Sequence, residues 1–331
     1  MRLLSAEKLA VEAESTGFRP EVLEKVARLL GLLDTLQSHP FLKKKLVLKG
    51  GTALNLFVFD IPRLSVDIDL NYVGAESKDA MLEERPKIEQ AVQAVFKREG
   101  FTVRRVPEEH AGGKWSLRYQ SAFGQSGKLE VDINFMYRVP LWPIMMMDSH
   151  PLGTWRATNI PVMDIHELAA GKLAALLSRR KARDLFDSLR ILRMYGLDLE
   201  RLRIAFVVYG AMNRKDWRTV SVEDVDFDAA ELANQLIPTL RLGAKQGTKD
   251  AENYGKTLVN QCRQALSAVL PFNDAEREFL DLLLDKGEID ATLLTTDKTL
   301  QKRIRQQPLL KWKALNVRQY KGFSDGAPTN D

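Results

Sequence analysis

Chemistry is easiest to locate at two aspartates, Asp67 and Asp69, which alternate with Val66, Ile68 and Leu70 on a strand-like run. Side chains alternate across a strand, so the two carboxylates share one face and the apolar residues the other. Aspartate is depleted in strands and like charges at i and i+2 repel, so a merely solvated face is better served by Thr, Lys or Ser. A divalent cation between them removes that cost, and Mg²⁺ prefers carboxylates plus substrate phosphates to an all-protein cage. Upstream, Leu46-Val47-Leu48 runs into Lys49-Gly50-Gly51-Thr52. Paired glycines let the backbone turn sharply and approach a ligand closely, and N–H groups opening a helix attract phosphate. Residues 46–72 therefore read as a site for a metal-bound nucleoside triphosphate.

This stretch resembles the signature of the nucleotidyltransferase superfamily, a Gly-Gly or Gly-Ser turn followed by Asp-hydrophobic-Asp, and more closely the AbiEii toxin family. The matching residues are Lys49-Gly50-Gly51-Thr52-Ala53-Leu54 and Arg63-Leu64-Ser65-Val66-Asp67-Ile68-Asp69-Leu70. Fifteen residues separate Gly51 from Asp67, slightly more than the general superfamily pattern usually allows. The resemblance implies an α+β fold of the DNA polymerase β-like type: a mixed β-sheet core flanked by helices, followed by a C-terminal helical bundle domain. It implies that Lys49, Gly50, Gly51, Thr52, Arg63 and Ser65 bind nucleotide and that Asp67 and Asp69 hold metal, Mg²⁺ or Mn²⁺. A third carboxylate is expected on Leu129-Glu130-Val131-Asp132-Ile133-Asn134-Phe135, where Asp132 is preferred to Glu130; it completes the metal site and helps deprotonate the attacking hydroxyl. A helix bearing Lys172, followed by Arg183-Asp184-Leu185-Phe186-Asp187, extends the resemblance. It implies that Lys172 contacts the triphosphate and that Asp184 is an essential polar residue.

The activity so implied is transfer of NMP from an NTP to an acceptor hydroxyl with release of pyrophosphate. The family adds the role of a bacterial toxin of the type IV toxin–antitoxin kind, a neighbouring antitoxin as partner, and tRNA 3′ ends as acceptor. Two alternatives are an enzyme of this fold that modifies a protein or small molecule, and a non-catalytic nucleotide-binding module. A P-loop is excluded because Lys49 precedes its glycines and no GxxxxGK[ST] exists. An i,i+2 carboxylate pair is too close for a glycosidase, and zinc chemistry lacks its ligand spacing.

At 331 residues and 45% hydrophobic, the chain can bury one large core or two smaller ones. Forty-nine Lys and Arg against 44 Asp and Glu give +5, which favours a polyanionic partner without demanding one. A single cysteine, Cys262, excludes an internal disulfide, and neither a secretory leader nor a run of about 18 apolar residues is present, so a cytoplasmic setting without membrane contact is expected.

The positioning elements follow from periodicity. Amphipathic helices are predicted over 6–17, 20–38 and 77–99, and strands over 101–106, 114–120 and 128–137. Residues 138–163, with four prolines, read as a loop or linker with short strands, in which Met145, Met146 and Met147 are taken to fill core gaps. A domain boundary is placed there: 1–155 the nucleotidyltransferase core, 156–321 a helical domain completing the cleft, 322–331 a frayed tail. Asp164, with Glu167 three residues on, predicts a capping box opening the helix of Lys172. Lys172 lies beside an apolar stripe, which calls for a phosphate or carboxylate partner. The run Arg179-Arg180-Lys181-Arg183 is a candidate for RNA phosphates. Further helices are predicted at about 199–211, 227–237, 250–268, 274–285 and 298–305, with Asp224 and Asn273 or Asp274 as caps.

Overall fold

A seven-stranded mixed sheet in the order β3-β4-β5-β2-β1-β7-β6 carries the acidic residues at its centre. The computed structural model describes residues 4–105, 112–242 and 250–321; the tail expected at 322–331 lies outside the described residues. The strands are β1 (Leu46–Lys49), β2 (Asp67–Tyr72), β3 (Thr102–Arg105), β4 (Gly112–Gln120), β5 (Ser126–Asn134), β6 (Met145–Met147) and β7 (Ile160–Val162). β1 and β2 are antiparallel, whereas β2 pairs with β5 and β1 with β7 in parallel. Alternation then sorts the sheet into two faces: Ile68, Leu70 and Tyr72 of β2 and Leu129, Val131 and Ile133 of β5 are buried, while Asp67, Asp69, Glu130 and Asp132 remain partly accessible.

The helices α1 (Ala6–Thr16) and α2 (Pro20–Ser38) form as their periodicity demands. Ser5 caps the first, and Pro20 opens the second at a position where its missing N–H costs nothing. After β1 the chain enters a short helix, α3 (Gly50–Ala53), continued by a π-turn over Leu54–Val58. α4 (Lys78–Arg98) is capped by Ser77. On the C-terminal side come α5 (Ile165–Ser178), α6 (Ala182–Leu192), α7 (Leu199–Ala211), the short α8 (Ala229–Glu231), α9 (Ala251–Ala265), α10 (Asp274–Asp281), α11 (Lys298–Gln306) and α12 (Pro308–Lys321). α5 packs on α3, α6 and α7, which sets the helical half against the glycine turn.

Several local expectations are corrected. Met145 and Met146 are about half exposed on the edge strand β6 rather than core filling, because only Met147 packs on the core. Asp164 does cap α5, accepting from the His166 N–H, but Glu167 does not reach back to complete a capping box; it accepts from the backbone N–H groups of Leu141 and Trp142. Asp228, not Asp224, caps α8, and α12, opened by Pro308, lies beyond the last helix that periodicity predicts. β6 and β7, on either side of residue 155, pair antiparallel.

Candidate active site

Register places the carboxylates. Asp67 lies opposite Glu130, and Asp69 lies between Asp132 of β5 and Lys49 of β1. Neighbouring strands are about 4.8 Å apart, so Asp69 and Asp132 stand side by side on one face, with Asp67 one pleat away. Glu130 is tied up by Lys128 at 2.6 Å and Lys114 at 3.3 Å. Burial pushes the Asp69 carboxyl above its ordinary range; Lys49 opposes this and the neighbouring Asp132 adds to it. Asp67 is likewise raised by burial, against the pull of Lys25 on α2. Burial lowers the Lys49 ammonium while Asp69 and Asp132 hold it up, so Lys49 serves as counter-charge to the acidic pair.

The glycine turn sits directly against these residues. Gly50 has φ +74° and its Cα faces the Asp69 carboxylate so closely that a Cβ would collide with it. Gly51 is similarly confined by Ser65 Oγ and by the Arg63 guanidinium, where a Cβ would meet atoms at 2.9 and 3.0 Å. Thr52 and Arg63, both expected to bind nucleotide, spend their polar groups within the protein. Thr52 is fully buried and donates its hydroxyl to the Asp67 carbonyl. Arg63 is 1% exposed and makes a fork to Asp187, Nε to Oδ1 at 2.8 Å and Nη2 to Oδ2 at 2.5 Å.

Asp187, wholly buried, joins the two halves of the chain. It accepts from Arg63 and from Asn55 Nδ2 at 3.1 Å, and lies 3.2 Å from Lys172 Nζ. Lys172 also donates to Asp184 at 2.8 Å, and Asp184 in turn receives Arg179 Nε at 2.8 Å. Burial works against charge on Lys172, but the two aspartates outweigh it and its ammonium is raised; Asp184 and Asp187 are held below the usual carboxylate range by the same pairing. The carboxylate partner that the apolar setting of Lys172 requires is therefore present. Arg183 does not pair with Asp187 along its helix; it points across to Asp67, at 3.9 Å.

Between sheet and α5 lies a cavity of about 420 Å³ whose lining includes Lys49, Gly50, Gly51, Asp69 and Lys172. Its wall also holds Asn71, Tyr137 and Tyr209, which the sequence does not single out, and Glu167, which the sequence marks only as a capping residue. Tyr137 and Tyr209 stack with centroids 5.4 Å apart, and the Lys49 ammonium lies 5.1 Å from the Tyr137 ring. Burial raises the Glu167 carboxyl to about 7 in spite of hydrogen bonds from Leu141, Trp142 and the Tyr209 hydroxyl. Only Asn71 had a detectable signal, as the third polar residue of the i, i+2, i+4 row begun by Asp67 and Asp69.

Among the described residues, no three His, Cys, Asp or Glu side chains converge tightly enough to hold a metal ion by themselves. The face of Asp67, Asp69 and Asp132 fits Mg²⁺ in a different way: hard oxygen donors in register beside a glycine cradle, leaving other coordination positions to substrate phosphates.

The AbiEii family model, described as nucleotidyl transferase AbiEii toxin of the Type IV TA system, matches residues 31–315. No sequence among curated proteins matches significantly. A solved structure with the same fold is MenT4, a nucleotidyltransferase toxin from Mycobacterium tuberculosis. It is 17% identical with a TM-score of 0.57, over 93% of this chain and 98% of that one. A glycine turn against a paired-aspartate strand and a family match over most of the length agree, and the chain belongs to the AbiEii family of nucleotidyltransferase toxins.

Proposed function

We propose that this nucleotidyltransferase toxin is Mg²⁺-dependent and transfers NMP from an NTP to a hydroxyl of tRNA, in the cytoplasm, under control of a cognate antitoxin. The observation that carries the reading is the register of Asp69 with Asp132 and Lys49 beside Gly50. In this reading Asp67, Asp69 and Asp132 hold the cation, which when bound neutralises phosphate charge and stabilises the oxygens of an in-line displacement. Backbone N–H groups of Gly50 and Gly51 receive phosphate oxygens, and Lys172 presents positive charge from the facing helix. Asp184 fixes Lys172, while Arg63, Thr52 and Ser65 act as positioning residues behind the glycine turn. Asp132 takes the proton from the acceptor hydroxyl, the attack on the α-phosphorus breaks its bond to the bridging oxygen, and pyrophosphate leaves with those electrons.

Among the described residues no helix is long and apolar enough to cross a membrane. The test is incubation of the protein with each α-labelled NTP, total RNA and total protein, with Mg²⁺ or with chelator. Label in the tRNA fraction, abolished by chelator, is expected. Label confined to protein or to small molecules would overturn the tRNA acceptor, and transfer unaffected by chelator would overturn the metal role.

A further inference from the structure

The wall of the cavity around Asn71 has a composition that phosphate binding does not explain. Asn71 is 1% exposed, lines the cavity, and its buried Oδ1 has no hydrogen-bond partner. An orphaned buried amide oxygen costs about 1–3 kcal/mol, so its persistence points to a partner supplied from the cavity. Asn71 lies two residues beyond Asp69 on the same face of β2, about 7 Å further along the strand at ~3.4 Å per residue. The neighbouring wall is aromatic: Tyr137 and Tyr209 both line the cavity, and Glu167 accepts from the Tyr209 hydroxyl at 3.0 Å. Tyr137 is brought there by Asn134, opposite Asn71 in register, whose Oδ1 accepts from the Met136 and Tyr137 N–H groups at 2.7 and 3.2 Å.

We propose that the part of the cavity around Asn71 is a base-reading pocket, in which the Asn71 amide pairs with the hydrogen-bonding edge of the nucleobase of the incoming NTP against the Tyr137–Tyr209 wall. The proposal rests on the nucleotidyltransferase reading of the same cleft and names what selects its substrate. A side-chain amide offers a donor beside an acceptor, and a base edge presenting the complementary order satisfies both at once, whereas a mismatched edge leaves the buried oxygen unpaired. Glu167 is a positioning residue, holding the Tyr209 ring through its hydroxyl.

Two measurements test it. In the first, kcat/KM is determined for the four NTPs with wild type and Asn71→Ala. The wild type is expected to separate the best from the worst by at least about 10-fold, and the variant to compress that spread to within about 3-fold. In the second, saturation-transfer NMR is recorded with the four nucleosides, without metal, on wild type and Gly171→Leu. Gly171 lines the cavity, and a Cβ there meets only the Tyr209 ring, at an ordinary van der Waals 3.7 Å, so a larger side chain at this position starts from the cavity wall without a backbone clash. Nucleoside contact in the wild type and its loss in Gly171→Leu are expected. Equal use of all four NTPs by the wild type, an equal loss for all four in Asn71→Ala, or undiminished nucleoside contact in Gly171→Leu would each overturn the pocket. Nucleoside contact without NMP transfer would instead overturn the transferase reading and leave the base pocket standing.

Discussion

Asp69 illustrates how a single residue trades stability for chemistry. Its carboxyl is raised by burial and by Asp132, so the folded protein pays to keep it ionised at neutral pH. Asp69→Asn is accordingly expected to lower NMP transfer by about 10²-fold or more without lowering the melting temperature; unchanged turnover would remove Asp69 from the site. Glu167 gives a second test at this scale, since its carboxyl sits at about 7 in the fold against an ordinary 4.5. A carboxyl raised on folding favours the protonated native state, so its contribution to stability is present below about 4.5 and is lost as pH rises through 7. At about 1.4 kcal/mol per pH unit the loss amounts to about 3 kcal/mol. Denaturant titrations at pH 5 and pH 8 should show a decline in wild type larger by that order than in Glu167→Gln; identical pH dependence in the two would refute the assignment.

At the level of elements, α5 and α6 are joined to the π-turn after α3 and to the segment before β2 by one buried ionic network. Asp187 receives Arg63, Asn55 and Lys172, and Asp184 receives Lys172 and Arg179. Removing one partner of a buried pair leaves an uncompensated charge and costs about 3–5 kcal/mol. Asp187→Ala should therefore destabilise by that amount in urea unfolding and also raise KM for NTP, because Arg63 supports the Gly51 turn and Lys172 faces the cleft. A loss of under 1 kcal/mol would mean that the network does not join the halves. Sequence patterning conveyed part of this arrangement. The apolar surroundings of Lys172 called for a counter-charge, and Asp184 was an identifiable candidate, but a fully buried aspartate looks the same as a surface one when it follows a basic run. Arg63, Asn55 and Asp187 are more than a hundred residues apart in part, and no local period links them.

Over the whole molecule, the basic residues around the carboxylates come from separate regions: Lys25 on α2, Lys114 on β4, Lys128 on β5 and Arg183 on α6. The run at 179–183 is partly committed, with Arg179 on Asp184 and Arg180 near Asp226 at 3.1 Å, and Lys181 exposed. For a tRNA acceptor, Arg180→Ala with Lys181→Ala should raise KM for RNA severalfold and reduce the slope of log affinity against log salt by about 1–2, leaving KM for NTP unchanged. No change in either RNA quantity would return these residues to ordinary surface.

The chain before folding already displays the acidic strand, the glycine turn, the lysine on an apolar helix and the alternation of helices and strands, because period-2 and period-3.6 patterns and the cost of clustered carboxylates are local properties. The pairing of β2 with β5, sixty residues apart, is foreshadowed only by a second acidic strand face. Long-range pairing is what aligns Asp69 with Asp132 and Lys49, and packing of α5 against α3 and α7 is what brings Asn71, Tyr137, Glu167 and Tyr209 to one cavity. Those relations depend on which distant surfaces bury each other. Asp67 and Asp69 thus raise the expectation of a cation from sequence alone, whereas the buried amide and paired tyrosines come to one cavity only in three dimensions.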